Sequence, residues 1–175
     1  VPYVLVTVGG GHDGSALVRA TVQMTAPAGV EVVVLTGPQA GDDQLSATRG
    51  AARRRGGVHV HRFSRHAQDW LRGAEAVIAM GGANTVTELL TTDVPALIVP
   101  RVKPRQEQLV RAMALQRHAA LDVLVPELLC PERLGDWVRA RLGTRIDRSH
   151  LRMDGLDQVR TRTRALVGGG VHVAA

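Results

Sequence analysis

Short apolar runs alternate along the chain with longer stretches of mixed polarity. Tyr3 to Val8, Glu31 to Thr36, Ala76 to Met80 and Pro95 to Pro100 are runs of Val, Leu, Ile and Ala closed by glycine or proline. Val58 to Phe63 alternates apolar and polar residues, and a short apolar run spans Leu121 to Val125. Runs of this length predict strands, most of them buried on both faces. Between them the pattern predicts helices from Ser15 to Thr25, Asp42 to Arg55, Gln68 to Arg72, Thr85 to Leu90, Gln106 to Gln116 and Pro131 to Leu142. Leu17, Val18, Val22 and Met24 mark the apolar positions of the first helix. Parallel strands need crossover connections, so repeated strand–helix units predict an α/β fold with a doubly wound, Rossmann-like parallel sheet. Residues 1–143 are expected to form this domain, and 144–175 a peripheral helix near 154–166 with a loose Gly-rich tail.

Ligands of such sheets sit beyond the carboxyl ends of the strands. That edge carries Gly9 to Gly14, Gly37, Phe63-Ser64, Gly81 to Thr85 and Arg101 to Gln108. The first of these loops matches G-x-G-x-x-G, in which glycine lets the backbone approach a phosphate and the helix start supplies free N–H groups. A tight strand-to-helix crossing explains the same glycines. His12 is either a donor to phosphate or a solvated loop residue. A nicotinamide dinucleotide would call for an acid at the end of the second strand. That strand ends Leu35-Thr36-Gly37, which disfavours it.

A second anion position is expected where the buried strand ending at Met80 enters Gly81-Gly82-Ala83-Asn84-Thr85. Glu88, one turn into the helix, can accept two hydrogen bonds from a vicinal diol such as a ribose presents. Thr85-x-x-Glu88 also has the form of a capping box, in which Glu88 would serve only its own helix. Asn84 fits either a phosphate contact or a helix cap. At the start of a later helix, Glu107 and Gln108 offer adjacent groups suited to sugar hydroxyls.

Together these segments resemble the C-terminal, donor-binding domain of GT-B glycosyltransferases of the family 28 type, which includes the bacterial lipid-II-forming N-acetylglucosaminyltransferase. The resemblance covers most of residues 3–142. It rests on Ala79-Met80-Gly81-Gly82-Ala83-Asn84-Thr85-Val86-Thr87-Glu88, then Pro95 to Pro100, then Glu107-Gln108 and Ala112. It implies that Gly81, Gly82 and Thr85 hold a diphosphate, Glu88 a ribose, and Glu107 and Gln108 the donor sugar. Phe63 and Ser64 would line the base pocket, with Gly10 and Gly11 facing the cleft between two domains. The family often has serine where Gly81 stands and a small or apolar residue in place of Asn84. The implied reaction is an inverting, metal-independent transfer from a nucleoside-diphosphate sugar, UDP-linked by expectation, to an acceptor hydroxyl. No cofactor is implied. The general base belongs to an N-terminal acceptor domain, or to a separate acceptor subunit, so the chain is expected to be a fragment or one subunit. The alternatives are a nucleotide-sugar 2-epimerase half-domain and a non-catalytic nucleotide-binding module.

Composition narrows the setting. The chain has 175 residues, 45% hydrophobic but only 2% aromatic, with a formal net charge of +6. Readers of single-stranded nucleic acid use stacking aromatics, so the positive charge reads as an arginine-rich surface and no nucleic-acid partner is expected. Lys103, Arg105 and Arg65 are basic residues at the ligand edge without an assigned role. The lone Cys130 cannot form an internal disulfide or a cysteine-based zinc site, and a reducing, cytoplasmic setting is expected. No apolar run has the length of a bilayer span, and membrane contact is expected only through the acceptor half. His59 and His61 alternate on one strand without a third ligand and are not expected to bind metal. Trp70 and Trp137 are expected to pack against the sheet.

Overall fold

A computed structural model describes residues 1–10 and 13–168; Gly11, His12 and the tail from 169 to 175 lie outside the described residues. Six strands are joined by helices in strict alternation: β1 (Tyr3–Thr7), α1 (Ser15–Gln23), β2 (Glu31–Leu35), α2 (Asp42–Arg55), β3 (Val58–His61), α3 (Ala67–Arg72) and β4 (Ala76–Ala79). α4 (Ala83–Leu90), β5 (Ala96–Ile98), α5 (Glu107–Arg117), β6 (Asp122–Val123), a 3₁₀ turn at Pro126–Leu128, α6 (Pro131–Arg141) and α7 (Gly155–Gly168) follow.

All neighbouring strands are parallel, in the order β3-β2-β1-β4-β5-β6. The chain winds outward from β1 to β3, then returns to β1's other side as β4. The sheet is a doubly wound Rossmann-like one, as the alternation implied. Why the strands lack polar positions follows from the two layers around them. Val4, Val6, Val34 and Ile78 pack with Leu17 and Val18 of α1, Leu45 of α2 and Leu134 and Val138 of α6. The intervening Leu5, Val33, Val77 and Ala79 pack with Leu71 of α3, Val86 and Leu89 of α4 and Ala112 of α5. Both strand faces are therefore sealed by helices. Trp70 packs edge-on against Tyr3 with ring centroids 5.7 Å apart, and Trp137 lies against the other layer while donating to Asp122 Oδ2 at 2.8 Å.

Residues 144–153 are fastened to the sheet's flank, with the buried Arg148 at the centre of the contacts and Arg145, Ile146 and His150 adding others. The guanidinium of Arg148, only 7% exposed, donates to the carbonyls of Ala120, Thr92 and Val94 at 2.8, 2.6 and 2.9 Å. Burial lowers its pKa from the ordinary arginine value. Beyond it α7 leaves Leu156, Val159, Leu166 and Val167 exposed.

Gly14 caps the start of α1, where the helix lies almost against the end of the first strand. A Cβ on Gly14 would fall 2.3 Å from Cβ of the buried Val8. The third glycine of the first loop thus permits close helix–strand packing whatever the loop binds. Gly14→Ala should lower stability by about 1–3 kcal/mol through this overlap. Denaturant unfolding checks it, and an unchanged midpoint would show that Val8 can move aside without cost.

Candidate functional site

At the carboxyl edge the crossover between β1 and β4 opens a cleft of about 250 Å³. Leu5, Thr7, Leu35 and Leu71 form its floor, and Gly9, Gly10, Gly37 and Pro38 one wall. Arg62, Phe63, Ser64 and Ala67 form a second wall, while Thr85 and Glu88 of α4 close the third side. The sequence-predicted Gly10, Phe63, Ser64, Thr85 and Glu88, from two separate loops and α4, thus meet in one place. Phe63 leaves 59% of its surface exposed at the rim, an unusual placement for the chain's one phenylalanine. Gly37 adopts φ +82°, and a Cβ there would lie 2.0 Å from the Gly9 carbonyl oxygen. The first two loops are pressed together at a contact that admits only glycine.

Wider grooves lie elsewhere among the described residues, away from the crossover. One, of about 620 Å³, runs past Met24, Arg54 and Arg55 at the amino edge; another, of about 320 Å³, lies between α1 and α2; a third, of about 800 Å³, borders Asp122 and Trp137 beside β6. Ligands of open parallel sheets bind beyond the carboxyl ends at the switch point, so the smaller cleft is the candidate site.

α4 corrects the expected start at Thr85. The helix begins at Ala83, with Gly82 as its cap in extended conformation (φ −60°, ψ 143°). Thr85 is therefore the third helical residue and Glu88 the sixth, out of register for a capping box, which needs the acid at the third position. Asn84 is not the cap either, and its side chain lies exposed. The Glu88 side chain turns to α3, where Oε1 accepts from Gln68 Nε2 at 3.2 Å. No side chain caps α4, and no backbone carbonyl among the described residues takes the N–H groups of Ala83, Asn84 or Thr85. Three donors at the positive end of a helix dipole thus lie next to a carboxylate one turn onward.

Gln108 packs behind Gly81, and neither it nor Glu107 lines the cleft. A Cβ on Gly81 would meet Cβ of Gln108 at 3.1 Å and Cγ2 of Ile98 at 3.2 Å, a physical reason for glycine here. Arg111 donates to the Gly81 carbonyl at 2.7 Å and ties α5 to the same turn. Arg101, just past β5, organises this side: its backbone N–H donates to Gln108 Oε1 at 3.0 Å. Its guanidinium donates to Glu107 Oε1 and to Asp13 Oδ2, each at 3.0 Å. These bonds raise the Arg101 pKa, the one to Asp13 contributing most. The Glu107 carboxyl is held below the ordinary glutamate range, first by its own backbone N–H and then by Arg101.

The pairings of Arg101 with Asp13 and of Gln68 with Glu88 join residues 88 and 20 apart and have no signal in the sequence. The contacts of Arg101 to Glu107 and Gln108 lie within the Arg101–Gln108 segment expected at the ligand edge. His59 lies 2.9 Å from Glu31, and no group of three metal-ligating side chains occurs among the described residues. None of the described helices is long and apolar enough to cross a membrane.

Residues 3–142 match the Glycosyltransferase family 28 C-terminal domain. No curated protein sequence matches the chain. Among solved structures it is similar to MurG of Acinetobacter baumannii, with a TM-score of 0.72, 21% identity, and coverage of 94% of this chain and 52% of that one. It is also similar to CalG4, the calicheamicin glycosyltransferase, with a TM-score of 0.63, 22% identity, and coverage of 95% of this chain and 38% of that one. The glycosyltransferase VinC, in complex with dTDP, gives a TM-score of 0.58 at 24% identity over 82% of this chain and 34% of that one. At these identities the likeness is one of fold. The chain spans about half the length of MurG and less of the other two.

Because the Glu107 pKa is depressed on folding, its contribution to stability should be present above about pH 4.3, the ordinary glutamate value, and lost as pH falls through its lower folded value. Carboxyl NMR titration should place Glu107 below the ordinary glutamate value, and Arg101→Met should move it upward. A titration unaffected by that substitution would dissolve the link.

Proposed function

The chain belongs to the glycosyltransferase family 28 C-terminal domain family, and from that premise we propose that it is the donor half of an inverting glycosyltransferase using a UDP-sugar. The observation that carries this reading is the start of α4: three N–H groups without a partner among the described residues, followed by a carboxylate that lines the cleft instead of capping its own helix. The N–H groups of the Gly82–Thr85 turn receive the diphosphate, and Glu88 takes the ribose hydroxyls. The base lies between Phe63-Ser64 and the paired glycine loops. Glu107 and Gln108 meet the sugar.

In the reaction the acceptor hydroxyl attacks the anomeric carbon from the face opposite the diphosphate. The anomeric C–O bond breaks with its electrons passing to the diphosphate, and the hydroxyl proton passes to a base. Fixed N–H dipoles at a helix start stabilise the departing charge without reorganising, a task otherwise given to a divalent cation. On this account no metal is required. The base and the acceptor pocket belong to an N-terminal domain or partner subunit. The cleft's 250 Å³ falls just below the ~300–1,000 Å³ of small-molecule sites, in keeping with a wall contributed from that half. The setting is cytoplasmic.

Calorimetric titration of the chain with UDP, dTDP, GDP and NAD tests the reading. UDP should bind, with dTDP as the nearest competitor, and excess EDTA should leave the affinity unchanged. Glu88→Ala should weaken binding roughly 10- to 100-fold, the loss expected for charge-assisted hydrogen bonds to a diol. Preference for NAD, or no nucleotide binding by a folded chain, would overturn the assignment.

A further inference from the structure

The amino edge of the sheet carries a groove of a different chemistry from the cleft. Its volume of about 620 Å³ lies within the ~300–1,000 Å³ of small-molecule sites, at the opposite end of the strands. The floor is apolar: Ala26, Val30, Ala51 and Val58 are half-buried and pack on the core beneath. The rim is cationic, because α2 ends in three arginines and the last two, Arg54 and Arg55, line the groove. Arg55 Nη2 donates to Thr25 Oγ1 at 2.8 Å, reaching past the end of α1, and this holds the guanidinium at the mouth. Arg54 Nη1 lies along α2 beside Gly50, where the missing side chain leaves it room to turn over the groove. Gly57, with φ +65°, adds a backbone N–H that has no carbonyl partner among the described residues.

The charge on this rim is not neutralised from within. No carboxylate lines the groove, and neither Arg54 nor Arg55 has an ion pair among the described residues. Glu31, beside it, lies 2.9 Å from His59, and Asp136 on α6 is taken by Arg139. The carboxyl end of α2 supplies only about half a negative charge, so roughly one and a half positive charges remain. Each guanidinium can present a fork of two N–H groups, and a phosphate has oxygens enough for both arginines where a carboxylate has two. The floor behind them offers hydrocarbon and no side chain that could read a base or a sugar. An anionic head on the rim with an apolar body on the floor satisfies both halves of the groove.

We propose that the amino-edge groove is a binding site for a phosphate ester with an apolar body, its phosphate on Arg54 and Arg55 and its hydrocarbon against Ala26, Val30, Ala51 and Val58. The site is separate from the cleft at the carboxyl edge, so both can be filled at once, and it stands whether or not the cleft holds a sugar donor. The ester is either a soluble molecule or the headgroup of an anionic lipid in a bilayer.

The test titrates the 175-residue chain with hexyl phosphate, inorganic phosphate and hexyltrimethylammonium while following its backbone amides. Hexyl phosphate should move Thr25, Gly56, Gly57 and Val58 and leave Ala83 to Thr85 unmoved. It should bind about tenfold tighter than inorganic phosphate, a gain that burial of only ~55 Å² of apolar surface supplies. The cationic analogue should not bind. Arg54→Gln, which keeps the contact of Arg55 with Thr25, should weaken hexyl phosphate about threefold, the size of one exposed ion pair, and the double variant with Arg55→Gln about tenfold. Arg162→Gln with Arg164→Gln removes the same charge from α7, outside the groove, and should leave the affinity unchanged. Thermal melting confirms that each variant is folded. Co-sedimentation with phosphatidylcholine vesicles that contain phosphatidate, lost in the Arg54/Arg55 double variant, assigns the headgroup to a bilayer; binding of hexyl phosphate without such co-sedimentation assigns a soluble ester. Equal affinity for hexyl and inorganic phosphate, equal weakening in the α7 control, binding of the cation, or shifts confined to Ala83 to Thr85 would each overturn the proposal, as would no binding at all. None of these results bears on UDP at the cleft, which its own titration decides.

Discussion

Backbone N–H groups at a helix start have no partner within the helix, and something must satisfy them. At α4 neither of the usual solutions is used. Gly82 has no side chain to offer, and Glu88 lies too far along the helix to reach back. The turn after β4 therefore keeps its donors available at the crossover of a parallel sheet, where the surrounding strands end and solvent enters. Much of the remaining architecture maintains that condition. Gly81 lets α5 come close, Arg111 holds the Gly81 carbonyl, and Gly37 lets two neighbouring loops press together to form the opposite wall.

The site is built from residues with separate structural loyalties. Glu88 and Thr85 ride on α4, which is anchored in the core by Val86 and Leu89. Phe63 and Ser64 hang from the end of β3, close to α3 and its Gln68. Glu107 and Gln108 open α5, whose Ala112 is fully buried. Rigid, apolar-anchored elements thus present polar groups at a fixed edge, which limits the reorganisation needed when an anion arrives. The Asp13–Arg101–Glu107 chain links the first glycine loop to the α5 side of the site, so those two segments are coupled by charge as well as by packing.

The layered fold was legible because its causes are local. Buried parallel strands must be apolar throughout, and Ala76 to Met80 and Glu31 to Thr36 could hardly be read otherwise. α2 was readable to the residue because acids open it and arginines close it, complementing its dipole. Boundaries failed where a cap depends on conformation instead of side chain. Asn84 and Thr85 looked like caps, yet the extended Gly82 before them does that work, so the start was placed two residues late. The clustering of Phe63, Thr85 and Glu88 was legible through the carboxyl-edge rule. The placement of Gln108 behind Gly81, and the pairings of Arg101 with Asp13 and of Gln68 with Glu88, were not. These depend on which side chains meet across the sheet, and no spacing along the chain encodes that.

The most direct test of the account is to follow backbone amide resonances as UDP is added. The account requires the largest shifts at Ala83, Asn84 and Thr85, smaller ones at Gly10 and Ser64, and none at Arg54 or Gly57 on the amino edge. Shifts concentrated along the amino-edge groove, with the start of α4 unmoved, would contradict it.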